Sequence, residues 1–81
     1  MPDIDLTDLR TCLNDVLTQV PEDSSTDLWA EGIMDSFTTV EVVIALEARY
    51  GVQFDPDTLR QENFKSLNSI AQTLTRMQRA A

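Results

Sequence analysis

The sequence predicts an all-α fold: a bundle of three main helices plus one short helix, with a long loop between the first two. Three observations predict it. Apolar residues recur at three- and four-residue spacing in three separate stretches, the signature of helices that bury one face. Pro21, Gly51 and Pro56 fall between those stretches, where helices must stop or start. The extended-looking run Val52-Gln53-Phe54 is too short to change the class. The 81 residues are expected to form a single domain, 1–81, near the lower size limit for a self-sufficient core.

The first helix is expected from about Asp3 to Gln19. Leu6, Leu9, Leu13, Val16, Leu17 and Val20 fall on one narrow face. Asp3 or Asp5 caps its start, where acids also suit the helix dipole, and Pro21 ends it. Cys12 reads as a small buried or half-buried apolar residue of this helix rather than a reactive thiol. Residues 21–35 form a long connection rich in Pro, Asp, Ser and Thr, which Leu28, Trp29 and Ile33 pin to the core. Trp29 is read as a core anchor in preference to a ligand-stacking platform.

The second helix is expected from Ser36 to Tyr50, with Gly51 as its left-handed cap. At about 100° per residue, Val42, Val43, Leu46 and Tyr50 cluster with Thr39 on one side. A second stripe, Phe37, Glu41, Ile44 and Ala48, lies well away from it. An unusually wide core face competes with the preferred reading, an exposed apolar-acidic strip for partner docking. Next, Asp55-Pro56-Asp57-Thr58-Leu59 predicts a short helix with Asp55 as N-cap and Pro56 first, Leu59 and Phe64 pointing inward. Ser66 caps the last helix, whose Leu67, Ile70, Ala71, Leu74 and Met77 share a face. Arg76 and Arg79 near its end complement the dipole.

Composition narrows the function. No apolar run reaches membrane-span length and no signal pattern opens the chain, so no membrane insertion is expected. A lone cysteine cannot form an internal disulfide, and a cytoplasmic location follows as the default. The chain has no histidine, which removes the commonest general base and metal ligand, so neither catalytic nor metal-binding residues are assigned. A formal charge of −8 argues against binding nucleic acid. Residues 21–50 hold seven acids (Glu22, Asp23, Asp27, Glu31, Asp35, Glu41, Glu47) against the single base Arg49. That face both keeps the protein soluble and steers basic partners. The acids of 22–27 lack the alternating ligands, central glycine and closing glutamate of a calcium loop.

The distinctive segment is Gly32-Ile33-Met34-Asp35-Ser36-Phe37-Thr38-Thr39-Val40-Glu41. A glycine turn leads through Asp35 to one hydroxyl at the start of an amphipathic helix. On residue type alone Ser36 is an ordinary N-cap, worth roughly 1 kcal/mol. The run Asp35-Ser36-Phe37-Thr38-Thr39-Val40-Glu41-Val42-Val43-Ile44-Ala45-Leu46-Glu47, however, closely resembles the modification site and second helix of acyl carrier proteins. The resemblance continues through Asn63-Phe64-Lys65-Ser66-Leu67-Asn68-Ser69-Ile70-Ala71, and the helix order fits the whole chain.

The resemblance implies an acyl-carrier-like bundle whose Ser36 carries a 4′-phosphopantetheine arm through a phosphodiester. A phosphopantetheinyl transferase would install the arm from coenzyme A with its own magnesium. Asp35 would cap the helix and help engage the transferase. An adenylating or acyl-transferring loading enzyme and downstream biosynthetic enzymes would follow as partners, meeting Glu41 and Glu47 with basic residues and Phe37, Val40 and Ile44 with apolar ones. Carriers of primary fatty acid synthesis typically read Gly-x-Asp-Ser, with an acid two residues after the serine. Here Ile33 and Met34 separate Gly32 from Asp35, and Thr38 and Ala48 stand where acids are common. The Gly-Ile-Met-Asp-Ser-Phe form is more similar to D-alanyl carriers and stand-alone carriers of specialised biosynthesis. The run from Phe64 to Ile70 is similar to free-standing prolyl carriers that feed pyrrole formation. The expectation is a monomeric, discrete acyl or aminoacyl carrier that is not itself an enzyme. The competing expectation is an unmodified acidic helical adaptor using the same face.

Overall fold

A computed structural model describes residues 4–80. Three α-helices run in order, α1 (Leu6–Asn14), α2 (Ser36–Tyr50) and α3 (Leu67–Ala80), with a 3₁₀ helix at Gln61–Phe64 before α3. Among the described residues there is no strand. The all-α expectation therefore holds, and the one short helix among the described residues is a 3₁₀ helix that lies after the segment expected to form it.

The core joins all three helices to the long loop. Leu9, Cys12 and Leu13 from α1, Val42 and Leu46 from α2, and Leu67, Ile70 and Leu74 from α3 are buried together with Leu17, Leu28, Met34 and Phe64. Phe54 stacks on Phe64 with ring centroids 5.6 Å apart and tilted by 35°. Burying this apolar surface is the main favourable term for so small a domain.

Asp5 caps α1 by accepting the Thr7 N–H at 2.9 Å; Asp3 lies outside the described residues. The helix stops at Asn14, five residues short of the expected end, so Pro21 does not terminate it. The Val16 and Leu17 N–H groups both donate to the Leu13 carbonyl, at 3.0 and 2.8 Å. This last turn still delivers Leu17 to the core, which is why the apolar spacing runs on past the helix. Arg10 then reaches from α1 to the carbonyls of Pro21 and Glu22, holding the returning chain against the helix it has left.

The loop between α1 and α2 is tied at its middle to the segment that starts α3. Leu28 N–H donates to the Lys65 carbonyl at 2.7 Å, and the Ser24 carbonyl accepts the Asn68 N–H at 3.0 Å. Asp23 and Asp27 are spent on local turns. Asp23 accepts from the backbone and hydroxyl of Ser25, and Asp27 from the N–H groups of Trp29 and Ala30. The Ser25 hydroxyl, with its backbone N–H, holds the Asp23 carboxyl below the usual range.

After α2 the expected short helix at Asp55–Leu59 is a single turn. Asp55 and Thr58 bond each other reciprocally, with the Thr58 N–H on the Asp55 carboxylate at 3.0 Å and the Asp55 N–H on the Thr58 hydroxyl at 3.0 Å. Arg60 is extended, and the helical turn forms only at Gln61–Phe64. Leu59, expected inside together with Phe64, is 49% exposed: the chain extends at Arg60 after the single turn, and only Phe64 is carried into the core. Ser66 does cap α3, accepting the Ser69 N–H at 3.1 Å.

Candidate functional site

The start of α2 separates two roles that the sequence leaves merged in one Asp-Ser pair. Asp35 is the N-cap: its backbone is extended (φ −146°, ψ −177°) and its carboxylate accepts the Thr38 N–H at 2.7 Å. Its carbonyl accepts the Thr39 N–H at 2.9 Å and the Thr39 hydroxyl at 2.7 Å. The Thr38 N–H, with the Thr38 hydroxyl after it, holds the Asp35 carboxyl below the ordinary carboxylate range. Ser36 is the first helical residue, not the cap. It is exposed, and its hydroxyl has no hydrogen-bond partner among the described residues.

The loop sets this geometry. Gly32 adopts φ +73°, and Ile33 and Met34 both donate to the Leu28 carbonyl, at 2.9 and 3.0 Å. Met34 is 2% exposed and Leu28 fully buried, so the two residues before Asp35 are anchored in the core. The chain leaves that anchor directly into the cap, which leaves Ser36 little positional freedom.

Beside Ser36 lies a groove of about 320 Å³ lined by Trp29, Ser36, Thr39, Leu59, Arg60, Gln61 and Phe64. Trp29 is half-buried and packs on the core, as an anchor should, yet its ring also borders this groove. Its Nε1–H is buried without an acceptor among the described residues. A wider concavity of about 530 Å³ lies by Gly51, at the other end of α2. Two of its polar side chains are engaged within the fold: Thr58 on Asp55, and Arg76 on Thr73 and Asn63.

On α2, Phe37, Val40 and Ile44 are 74%, 58% and 62% exposed, and Glu41 and Ala48 are exposed beside them. These residues face away from Val42 and Leu46, so the wide-core-face alternative fails. Glu47 is placed differently. It is half-buried, and its carboxylate accepts the Phe54 N–H at 2.9 Å. Sequence reasoning missed this bond because its acceptor and donor sit on opposite sides of the Gly51 reversal. It also missed Arg60 and Gln61 as neighbours of Ser36, since only the pinned loop brings residues 25 positions apart to one groove.

An exposed, unengaged hydroxyl at the head of a helix, fixed by a core-anchored turn, suits covalent attachment of an anionic group. Residues 7–74 match the family described as "Phosphopantetheine attachment site", and the chain belongs to that family. It is a carrier protein whose cofactor is covalently attached 4′-phosphopantetheine.

Among its relatives is the D-alanyl carrier protein of Bacillus velezensis, 30% identical over 68 residues, 84% of this chain and 83% of the relative. That of Bacillus pumilus is 33% identical over 68 residues, with the same coverage of 84% and 83%. That of Bacillus licheniformis is 33% identical over 68 residues, 75% of this chain and 83% of the relative. No described helix is long and apolar enough to cross a membrane.

Proposed function

We propose that Ser36 bears the 4′-phosphopantetheine arm and that the protein is a discrete aminoacyl or acyl carrier of a specialised biosynthetic pathway. The observation that carries this reading is the exposed, unpartnered Ser36 hydroxyl with the capping task already taken by Asp35. Likeness to D-alanyl carrier proteins supports an amino-acid cargo.

In the attachment step the Ser36 Oγ forms a bond to phosphorus as the pyrophosphate link of coenzyme A breaks and its nucleotide half leaves. The hydroxyl proton passes to a base of the transferase, because this chain offers none. It has no histidine, and the Asp35 carboxylate is committed to the Thr38 N–H and held at low basicity. The helix N-terminus then stabilises the phosphodiester anion through the positive end of its dipole. When bound, the arm supplies a terminal thiol that holds the cargo as a thioester and brings it to partners at high effective concentration.

Phe37, Val40, Glu41 and Ile44 form the surface on which the transferase, an adenylating or acyl-transferring loading enzyme and downstream enzymes dock. Glu47 borders that surface and serves chiefly the end of α2. The chain acts as a monomeric single-domain cytoplasmic carrier, with its partners performing the catalysis.

Intact mass before and after incubation with coenzyme A, magnesium and a broad-specificity transferase tests the reading, with Ser36→Ala alongside. One added arm on the wild type and none on the variant is expected. No added mass on well-folded wild type, across several transferases, would favour the acidic adaptor, which Ser36→Ala should leave functional.

A further inference from the structure

Ser36 does not stand on open surface. A group attached to its Oγ either projects into solvent or lies in the groove that Ser36 borders, and three features of the groove favour the second. The first is charge. Around the start of α2 the sequence supplies Glu31, Asp35 and Glu41, and residues 21–59 contain one base, Arg49, which is bound to Asp8 near the far end of the helix. Arg60 is the only cation lining the groove. A phosphodiester on Ser36 would sit among carboxylates with that single guanidinium beside it.

The second feature is how Arg60 is held. Its Nε donates to the Asp57 carbonyl at 3.2 Å, fixing the base of the guanidinium against its own loop. Its Nη1 lies 3.8 Å from Glu62 in a pair whose side chains are 63% and 73% exposed, a contact of little strength. Nη2 has no partner among the described residues. The fork is thus oriented but largely unspent, and an anionic phosphate oxygen is a better acceptor for it than a distant, solvated carboxylate.

The third feature is Trp29. Its half-buried ring borders the groove and packs on the core behind it, which offers a fixed apolar surface. An arm lying in the groove brings its branched apolar carbons and amide carbonyls to that ring.

The geometry points to Arg60 as a positioning residue that holds the Ser36-linked phosphodiester in this groove. The following carbons then lie against Trp29 and Leu59, so the resting arm runs along the segment before the 3₁₀ helix. This rests on Ser36 being the attachment site. It leaves Phe37, Val40 and Ile44, none of which lines the groove, free for partners while the arm is parked.

The test compares fully converted holo wild type, Arg60→Lys and Arg60→Ala by phosphorus NMR and by fluorescence of Trp29, the sole tryptophan, at low and high salt. Conversion is checked by mass and folding by circular dichroism. In the wild type, adding the arm should shift Trp29 emission, and the phosphorus resonance should move with salt as the ion pair is screened. Arg60→Ala should lose most of both responses and resemble a free phosphodiester. Arg60→Lys, which keeps the charge but not the fork, should fall between. Identical phosphorus and tryptophan signals in holo wild type and holo Arg60→Ala would overturn the assignment while leaving the carrier reading intact. Failure to add any mass to wild type would instead remove the attachment site on which both rest.

Discussion

Adjacent residues at the head of α2 have opposite relations to the fold. Asp35 is bound into the helix it starts, whereas Ser36 contributes a hydroxyl that the fold does not use. Stability and modification should therefore separate cleanly. Ser36→Ala should abolish addition of the arm yet change urea-unfolding stability by no more than about 0.5 kcal/mol, because nothing in the fold depends on the hydroxyl. Asp35→Ala should lower Tm measurably, and Asp35→Asn by less, since asparagine also caps helices well. Gly51 is the residue-scale counterpart at the other end of the helix. It sits at φ +65°, and a Cβ there would meet nothing within 4 Å. Gly51→Ala should thus cost only backbone strain, roughly 1–2 kcal/mol by urea unfolding, with no packing defect.

At the level of elements, α1 and α2 are tied by one polar cluster. The Asp8 carboxylate is bonded by the Arg49 guanidinium and by the Tyr50 hydroxyl, the latter at 2.7 Å. Arg49 first, then Tyr50, lowers the Asp8 carboxyl to about 2. A depressed folded value stabilises the protein above the ordinary carboxylate range, and that contribution drains away as pH falls from about 4 to about 2. Tyr50 is raised by burial and by the Asp8 bond, so its contribution is present below the ordinary tyrosine range and is lost on going above it. The urea midpoint of Asp8→Asn should therefore fall less steeply in acid than that of wild type. Some slope should remain, because Asp23 and Asp35 are also depressed. None of this cluster was legible in the sequence, where Asp8 and Arg49 stand 41 positions apart. Both ends of α2 were legible, because an aspartate cap and a left-handed glycine are local signals that the backbone obeyed. The end of α1 misled for a physical reason: apolar spacing reports which side chains are buried, and Leu17 stays buried after the helix has stopped. The Asp55-Pro56 start signal was also obeyed locally, but Leu59 found no core to pack on, and one turn was all it produced.

Over the whole molecule, burial and charge divide α2 into a face that builds the domain and a face that builds nothing within it. The sequence showed two apolar stripes on one helix and favoured an exposed second stripe over an unusually wide core face, although helical spacing records amphipathicity without saying which side is covered. Exposure of Phe37, Val40 and Ile44 settles the ranking. In a chain of net charge −8, such a strip next to the proposed attachment serine is where a basic enzyme with an apolar pocket would land. The two glutamates near it should then behave differently. Glu41 is exposed and sits among those apolar side chains, whereas Glu47 holds the Phe54 N–H. Glu41→Lys should cut the loading enzyme's kcat/KM by about tenfold, an interface loss near 1.4 kcal/mol, and flatten its salt dependence while leaving Tm unchanged. Glu47→Ala should do the reverse, costing about 1 kcal/mol of stability for the unpaired Phe54 N–H with little change in loading. Steady-state loading at several salt concentrations, together with thermal unfolding of both variants, checks the pair. Equal losses of loading from both would mean that Glu47 belongs to the docking surface after all, and no loss from Glu41→Lys would remove the acidic part of that surface.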